Sequence, residues 1–257
     1  MGFFSIERCF TLLDTPFENL IGFASDNASI MMGQKGGVQA LLKNKVPSLF
    51  IQGCVCHSMH ICASKACSEL PSHLEELARS IYSFLSNSSK RLQEYEEFRE
   101  FTQTNPHQLL HVSCTRWLSS KQVVKRILEQ WPVLVLSFTI AAIEDNNNAA
   151  SNVQNSLTNP ITQMYYAFLA YILPDIIKLN LDFQSESYRM HKSITCPVKG
   201  ILGNFVKKEI VKNKALHEIN INDPSVYLPI AEIYRGAKGE SIYIKKASSI
   251  STTELKQ

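Results

Sequence analysis

LIGFASDNASIMMGQKGGVQALLKNKVPSLFIQGCVCHSMHI, residues 20–61, is the stretch that decides the fold of this chain. Its pattern predicts a strand, a helix, a second strand and a second helix, in that order. The short apolar runs at residues 21–24 and 49–51 are typical of buried strands, and residues 38–43 have helical character between them. This alternation indicates an α/β protein.

Asp26 directly follows the first predicted strand. In open α/β sheets, the ligand-binding or active site lies just beyond the C-terminal ends of the strands, which is the position of this carboxylate. Asp is also a good residue for capping the N-terminus of a helix, and a helical stretch follows. Spacing alone favours the capping role, but both interpretations stay open.

Composition indicates a globular protein of one large domain or two small ones. The chain has 257 residues, of which 45% are hydrophobic and 19% are charged. Its formal net charge of +3 is too small to indicate a nucleic-acid partner by itself. Seven cysteines without a signal-peptide pattern predict free thiols in a reducing compartment, so we expect a protein that is not secreted.

The rest of the chain has mainly helical patterns. The apolar run at residues 133–143 is shorter than the ~20 residues that span a bilayer, and polar residues and Pro174 interrupt residues 165–181. Both runs therefore predict buried helices, and no membrane association is expected. The other predicted elements are a strand at residues 3–13, helices at 71–85, 92–101, 121–131, 160–179 and 202–216, a loop at 144–159, and a frayed end from residue 247.

The sequence Cys54-Val55-Cys56-His57 resembles part of a zinc site. Structural zinc takes four nitrogen or sulfur ligands, usually from two separated pairs, and the second pair is missing here. The candidates to complete a site are His60, Cys62, Cys67, His111 and Cys114. Buried thiols with a histidine at the corner of the fold are the favoured interpretation.

Arg116 and Trp117 lie in a predicted polar connection, TRWLSS, at residues 115–120. Arginine is a good phosphate ligand, and tryptophan can stack on an unpaired base. The alternative is a Trp117 side chain in the core, with Ser119 capping the next helix. The residues alone favour the core position.

Four segments in order carry a family resemblance: GFASDNASIMMGQKGGVQALL, CVCHSMHICASKA, TRWLSS and ILPDIIKLNLDFQSE. Together they resemble the central part of transposase-derived proteins of the hAT superfamily. The similar branch is the domesticated animal one, which includes BED-type, MYM-type and SCAN-containing zinc-finger proteins. The resemblance covers about residues 21–239.

The resemblance implies an RNase H-like core with an Asp-Asp-Glu set that holds two divalent ions, Mg²⁺ or Mn²⁺. By motif match, Asp26 is the second carboxylate and a metal ligand if activity is retained. Cys54 and His57 match a structural corner of the family. Arg116 and Trp117 match a nucleic-acid-binding motif whose tryptophan stabilises flipped-out bases. A nuclear location also follows from the resemblance, and a cytoplasmic one is expected otherwise.

The chain departs from the family at the other two carboxylates. The first Asp is expected well upstream of Asp26, where this sequence offers Glu7, and the final Glu is expected after the helical insertion domain. One carboxylate cannot hold two metal ions in working geometry. We therefore expect a truncated, catalytically inactive transposase derivative, not an enzyme, with no cofactor and no small-molecule substrate.

The predicted class is α/β, mostly helical, with an incomplete RNase H-like sheet-and-helix core before an all-helical insertion domain. The predicted parts are a core remnant at residues 1–115, the insertion domain at 116–240 and a flexible tail at 241–257. DNA and a protein are the candidate partners. Two alternatives stay open: a metal-dependent nuclease that uses Asp26 with Glu7 or Asp14, and a structural or zinc-bound interaction module without a nucleic-acid role.

Overall fold

The computed structural model describes residues 2–110, 121–144, 148–184 and 191–246. The protein is mostly helical with a small parallel sheet, as predicted. It divides into two compact units, Met1–Ala63 and Ser64–Gln257. The predicted boundary between residues 115 and 116 lies outside the described residues and stays a prediction.

The first unit contains the predicted strand-helix-strand-helix order. Its elements are α1 (Gly2–Leu12), β1 (Gly22–Ser25), α2 (Ser29–Met32), α3 (Val38–Lys45) and β2 (Phe50–Gly53), and α4 (Val55–Ser68) follows. The strands β1 and β2 are parallel, with Gly22 opposite Phe50 and Ser25 opposite Gly53. Their carboxyl ends therefore lie side by side at one edge of the sheet.

One face of this sheet packs on helices and the other is exposed. Phe23 and Ile51 are half-buried and pack against a cluster that contains the buried Val38 and Leu42 of α3. Phe50, on the opposite face, is exposed. This alternation along each strand is the period of two that a one-sided sheet requires.

The prediction of a strand at residues 3–13 is wrong, because these residues form α1. Phe3 and Ile6 are three positions apart, and both pack against the cluster of the first unit. Phe10, four positions further on, lies with its ring 5.0 Å from that of Phe17. The apolar residues thus recur at the spacing of a helix face, which a strand would not bring together.

Gly37 is the N-cap residue directly before α3, and it lies against the backbone of Gly33. Its N–H donates to the Gly33 carbonyl at 3.0 Å. A Cβ at Gly37 would lie 2.4 Å from the Gly33 nitrogen and 2.7 Å from the Gly33 oxygen. Both atoms belong to the backbone, so they cannot move aside as a flexible side chain would.

Gly37→Ala is expected to lower the free energy of unfolding of the first unit by about 1–3 kcal/mol, because α2 and α3 would have to separate. Hydrogen exchange of the amides in α3 and β2 measures the change. Gly36→Ala is the matched control, since nothing lies within 4 Å of a Cβ at Gly36. Equal effects of the two substitutions would contradict the role given to the close approach.

The second unit is helical throughout its described part, apart from one isolated bridge between Val206 and Tyr227. Its helices after α4 are α5 (Ser72–Ser86), α6 (Ser89–Phe101), α7 (Lys121–Glu129), α8 (Trp131–Glu144), α9 (Asn148–Thr158), α10 (Pro160–Gln184), α11 (His191–Leu202), α12 (Lys208–Asn213) and α13 (Gly236–Lys246). Short 3₁₀ turns lie at Leu216–Glu218, Pro224–Val226 and Ile230–Glu232. The predicted helices at residues 71–85 and 160–179 are confirmed as α5 and α10. Residues 241–246 of the predicted tail belong to α13.

A single large cluster forms the core of this unit and includes buried residues of α5 to α10. The predicted buried face of α5 is confirmed at every position: Leu74, Leu77, Ala78, Ile81 and Leu85. Trp131 meets Tyr166 edge to face, with ring centroids 5.7 Å apart. The Tyr166 hydroxyl donates to the Leu74 carbonyl at 2.7 Å, which joins α10 to α5.

Two predictions for the second unit are wrong. The expected loop at residues 144–159 contains α9, because Ala150, Val153 and Leu157 recur at helical spacing and are buried against the core. That packing outweighs the weak helix propensity of asparagine. The expected helix at residues 202–216 is interrupted after Leu202, and the fully buried Val206 pairs with Tyr227 instead.

Among the described residues, no single helix has the length and apolar character to cross a membrane. Within that described part, α7 and α8 pass this test of length and composition as a pair, but these two helices are bent by 70° from each other.

Candidate functional site

Asp26 lies at the carboxyl edge of the parallel sheet, in the residue after β1. Its side chain is exposed, and its Oδ1 accepts a hydrogen bond from the Ala28 N–H at 3.2 Å. Ala28, rather than Asp26, is the residue that caps α2. Asp26 therefore stabilises the turn that leads from the strand to the helix.

Asn27 and Ser58 join the end of β1 to the first turn of α4. The Asn27 amide donates to the Ser58 hydroxyl at 2.8 Å, and this hydroxyl donates to the Cys54 carbonyl at 3.2 Å. A Cβ at Gly53 would lie 2.4 Å from the Asn27 Oδ1, so a larger residue there would displace the Asn27 amide. These contacts hold the two strand ends and the helix start together.

Cys54 and His57 lie at the same edge of the sheet as Asp26. The Cys54 N–H donates to the Ser25 carbonyl at 2.8 Å, which continues the parallel pairing by one step. The Cys54 carbonyl accepts from the Ser58 N–H at 3.1 Å, so Cys54 is the residue from which α4 starts. His57 is half-buried in the first turn of that helix.

The cysteines of this region are free thiols with different degrees of burial. Cys54 and Cys56 are half-buried, Cys62 is exposed and Cys67 is buried. Burial raises the pKa of Cys56, and the neighbouring Cys54 thiol raises it further. Burial raises the pKa of Cys67 to about 11. The interpretation of buried thiols at Cys54, Cys56 and Cys62 is therefore wrong for Cys62, which is exposed, and Cys54 and Cys56 are only half-buried.

The described residues do not form either of the metal sites that the sequence suggested. In that part of the chain, no three His, Cys, Asp or Glu side chains are gathered as metal ligands. Glu7 forms an ion pair with Lys45 instead of joining Asp26. Asp14 lies in a turn after α1, with a φ of 49°. Neither a pair of divalent ions at Asp26 nor four-coordinate zinc at Cys54 and His57 is supported by this arrangement.

Arg116 and Trp117 lie in residues 111–120, outside the part of the chain that the structure describes, as do His111 and Cys114. Their predicted role in nucleic-acid binding stays a prediction.

A buried polar network in the second unit was missed from sequence. Gln130 is 0% exposed, accepts from the Tyr95 hydroxyl through Oε1 and donates to the His107 carbonyl through Nε2. The His107 Nδ1 lies 3.1 Å from the Glu129 Oε2, and Arg126 donates to the same oxygen at 3.1 Å. The network fixes the segment around His107 onto the end of α7.

Charges surround the carboxylate of this network. Partial burial opposes the charged form of Glu129, but hydrogen bonds from His107 and Arg126 outweigh it and lower the pKa of Glu129. The Lys238 ammonium donates to the Leu128 carbonyl at 3.1 Å, and desolvation lowers the pKa of Lys238. The one sequence signal for the network was a glutamine directly before an apolar helix.

Five lysines lie within residues 199–214, and we call them the basic cluster. Its members are Lys199, Lys207, Lys208, Lys212 and Lys214. The Lys199 ammonium donates to the Lys214 carbonyl at 3.0 Å, which joins α11 to the end of α12. Hydrogen bonds from Ser225 lower the pKa of the nearby Asp223, with smaller contributions from Lys214 and Lys207. Lys208, Lys212 and Lys214 are exposed, so their charges face solvent.

No model of a known protein family matches this chain, and no solved structure matches it.

Proposed function

We propose that this chain is a catalytically inactive derivative of an hAT transposase that binds unpaired DNA in the nucleus. The observation that carries the proposal is the parallel pair β1–β2, whose carboxyl edge has Asp26 beside Cys54 and His57. An all-helical unit follows this sheet along the chain. The same order of parts is implied by the family resemblance of the four sequence segments.

The surroundings of Asp26 support binding without cleavage. Its carboxylate accepts from the Ala28 N–H, and Glu7, a candidate substitute ligand, is paired with Lys45. Two-metal cleavage of a phosphodiester needs several oxygen ligands held close together. Within the described residues, Asp26 does not belong to such a group.

Two groups of residues would contact the DNA. Arg116 and Trp117 supply a phosphate ligand and a stacking surface, by their match to the family motif. The basic cluster supplies exposed positive charge in the same unit. Lysines of this kind bind the backbone without regard to sequence, so we expect an affinity that depends strongly on salt.

The test is fluorescence anisotropy of hairpin and single-stranded DNA with the full chain across a salt series. Trp117→Ala is expected to weaken binding by about 5- to 150-fold, because loss of base stacking costs about 1–3 kcal/mol. Phe101→Ala is the matched aromatic control, since Phe101 is 81% exposed. A folded chain that does not bind DNA at low salt would contradict the proposal. Binding to a protein partner would then remain as the alternative.

The same titration separates the contribution of the basic cluster. Replacing Lys208, Lys212 and Lys214 by Gln is expected to reduce the salt slope by about 2, if all three contact the backbone of a single strand. The control replaces the exposed lysines Lys35, Lys43 and Lys65 by Gln. This triple substitution removes the same amount of positive charge from a different part of the chain. Cleavage of the DNA in Mg²⁺ or Mn²⁺, abolished by Asp26→Asn, would overturn the inactive assignment.

A further inference from the structure

A cavity of about 240 Å³ lies in the second unit, between α5, α6 and residues 107–109. Most of its wall is apolar and comes from three leucines and two tyrosines: Tyr82, Leu85, Leu92, Tyr95 and Leu109. An engineered apolar cavity of about 150 Å³ holds one benzene molecule. The cavity described here is larger, so it has space for a molecule with one substituted ring or two fused rings.

The wall opposite α5 and α6 is held in place by the polar network around Gln130. The Tyr95 hydroxyl donates to Gln130, and the Gln130 amide donates to the His107 carbonyl. The His107 Nδ1 lies 3.1 Å from the Glu129 Oε2, and Leu109 packs against the core cluster. These contacts fix the wall without any ligand, so the cavity is pre-formed, as small-molecule sites usually are.

Arg99 supplies a positive charge to the wall of this cavity. Its side chain is only 13% exposed, whereas that of its ion-pair partner Glu96 is 52% exposed. The Arg99 Nη2 lies 3.6 Å from the Glu96 Oε1, which is too long for a hydrogen bond. A guanidinium binds a carboxylate most strongly through two parallel hydrogen bonds. An anion in the cavity can therefore offer Arg99 a better partner than the loosely paired Glu96.

We propose that this cavity binds a small aromatic carboxylate. Its ring lies against the leucine and tyrosine side chains, and its carboxylate accepts hydrogen bonds from the Arg99 guanidinium. The apolar wall excludes a strongly hydrated ligand such as inorganic phosphate, and the charge of Arg99 disfavours an organic cation. Binding is non-covalent, and it does not depend on the proposed DNA binding.

The experiment is calorimetric titration of the full chain with 2-naphthoate and, separately, with the neutral 2-naphthamide. We expect one 2-naphthoate per chain and at least tenfold weaker binding of the amide, because only the acid pairs with Arg99. Arg99→Met keeps an apolar side chain but removes the charge, so it should weaken 2-naphthoate about 10- to 100-fold and leave the amide unchanged. Arg8→Met is the matched control, since it removes the same charge from an exposed position in the first unit.

Leu92→Trp gives a second test that does not depend on the charge. Leu92 lines the cavity but is 46% exposed, so a larger ring can occupy the space without disturbing the buried core. This variant should abolish binding of both compounds, whereas Leu12→Trp, at a 74% exposed position of α1, should change neither. Circular dichroism confirms that each variant is folded.

Three results would overturn the proposal. The first is a folded wild-type chain that does not bind 2-naphthoate at millimolar concentration. The second is binding that persists in folded Leu92→Trp, since the compound would then lie outside the cavity. The third is equal affinity for the acid and the amide, which would remove the role given to Arg99 even if Arg99→Met does not fold.

Discussion

Phe138→Ala is expected to lower the free energy of unfolding of the second unit by about 3–5 kcal/mol. Phe138 is 0% exposed, and its ring lies 4.9 Å from that of Phe84, which joins α8 to α5. Removing the ring takes away its burial and leaves a cavity among side chains that belong to several helices. Those helices can close the cavity only in part, because each is held by other contacts.

Denaturant unfolding followed by far-ultraviolet circular dichroism measures this loss, since the second unit contains most of the helices. Phe101→Ala is the control because it makes the same chemical change at an exposed position, and its effect should stay within about 0.5 kcal/mol. If the two substitutions cost the same, the assignment of Phe138 to the core would be contradicted.

Gln130→Leu is expected to cost about 2–5 kcal/mol, although leucine is close to glutamine in size. The substitution leaves the Tyr95 hydroxyl and the His107 carbonyl without their partner. Each unpaired buried polar group costs about 1–3 kcal/mol. The loss should appear as a lower denaturant midpoint with an unchanged slope.

A double-mutant cycle tests the cause of that loss. Adding Tyr95→Phe to Gln130→Leu removes the unpaired hydroxyl, so the double variant should cost less than the sum of the two single variants. Gln122→Leu, at an exposed position of α7, the helix that ends directly before Gln130, should be close to neutral. Simple additivity of the Tyr95 and Gln130 effects would show that the two side chains do not share a buried hydrogen bond.

The elements that sequence predicted well are those whose signals are local. Apolar runs of strand length predicted β1 and β2, and the helical pattern of residues 38–43 predicted α3. The parallel pairing then brings Asp26 and Cys54 to one edge, as an open α/β sheet implies. The association of this site with DNA rests on the family resemblance and stays a proposal.

The elements that sequence missed depend on contacts between distant residues. Residues 148–158 are rich in asparagine, and only packing against the core makes them helical. The position of Val206 depends on Tyr227, 21 residues later in the chain. Gln130 shows the same limit, because its partner Tyr95 lies 35 residues away. The periodicity of a short sequence segment does not indicate a contact between residues this far apart in the chain.

The hydrogen bond between Tyr166 and Leu74 has a consequence for synthesis on the ribosome. The two residues are 92 positions apart, so α5 is complete long before the α10 residue that binds it has been made. At about 5–20 residues per second, the apolar face of α5 waits roughly 5–20 s for this partner. During that interval α5 lacks its contact with α10, although α6, α8 and α9 are made earlier, and codon changes that slow translation of residues 75–166 would prolong the wait.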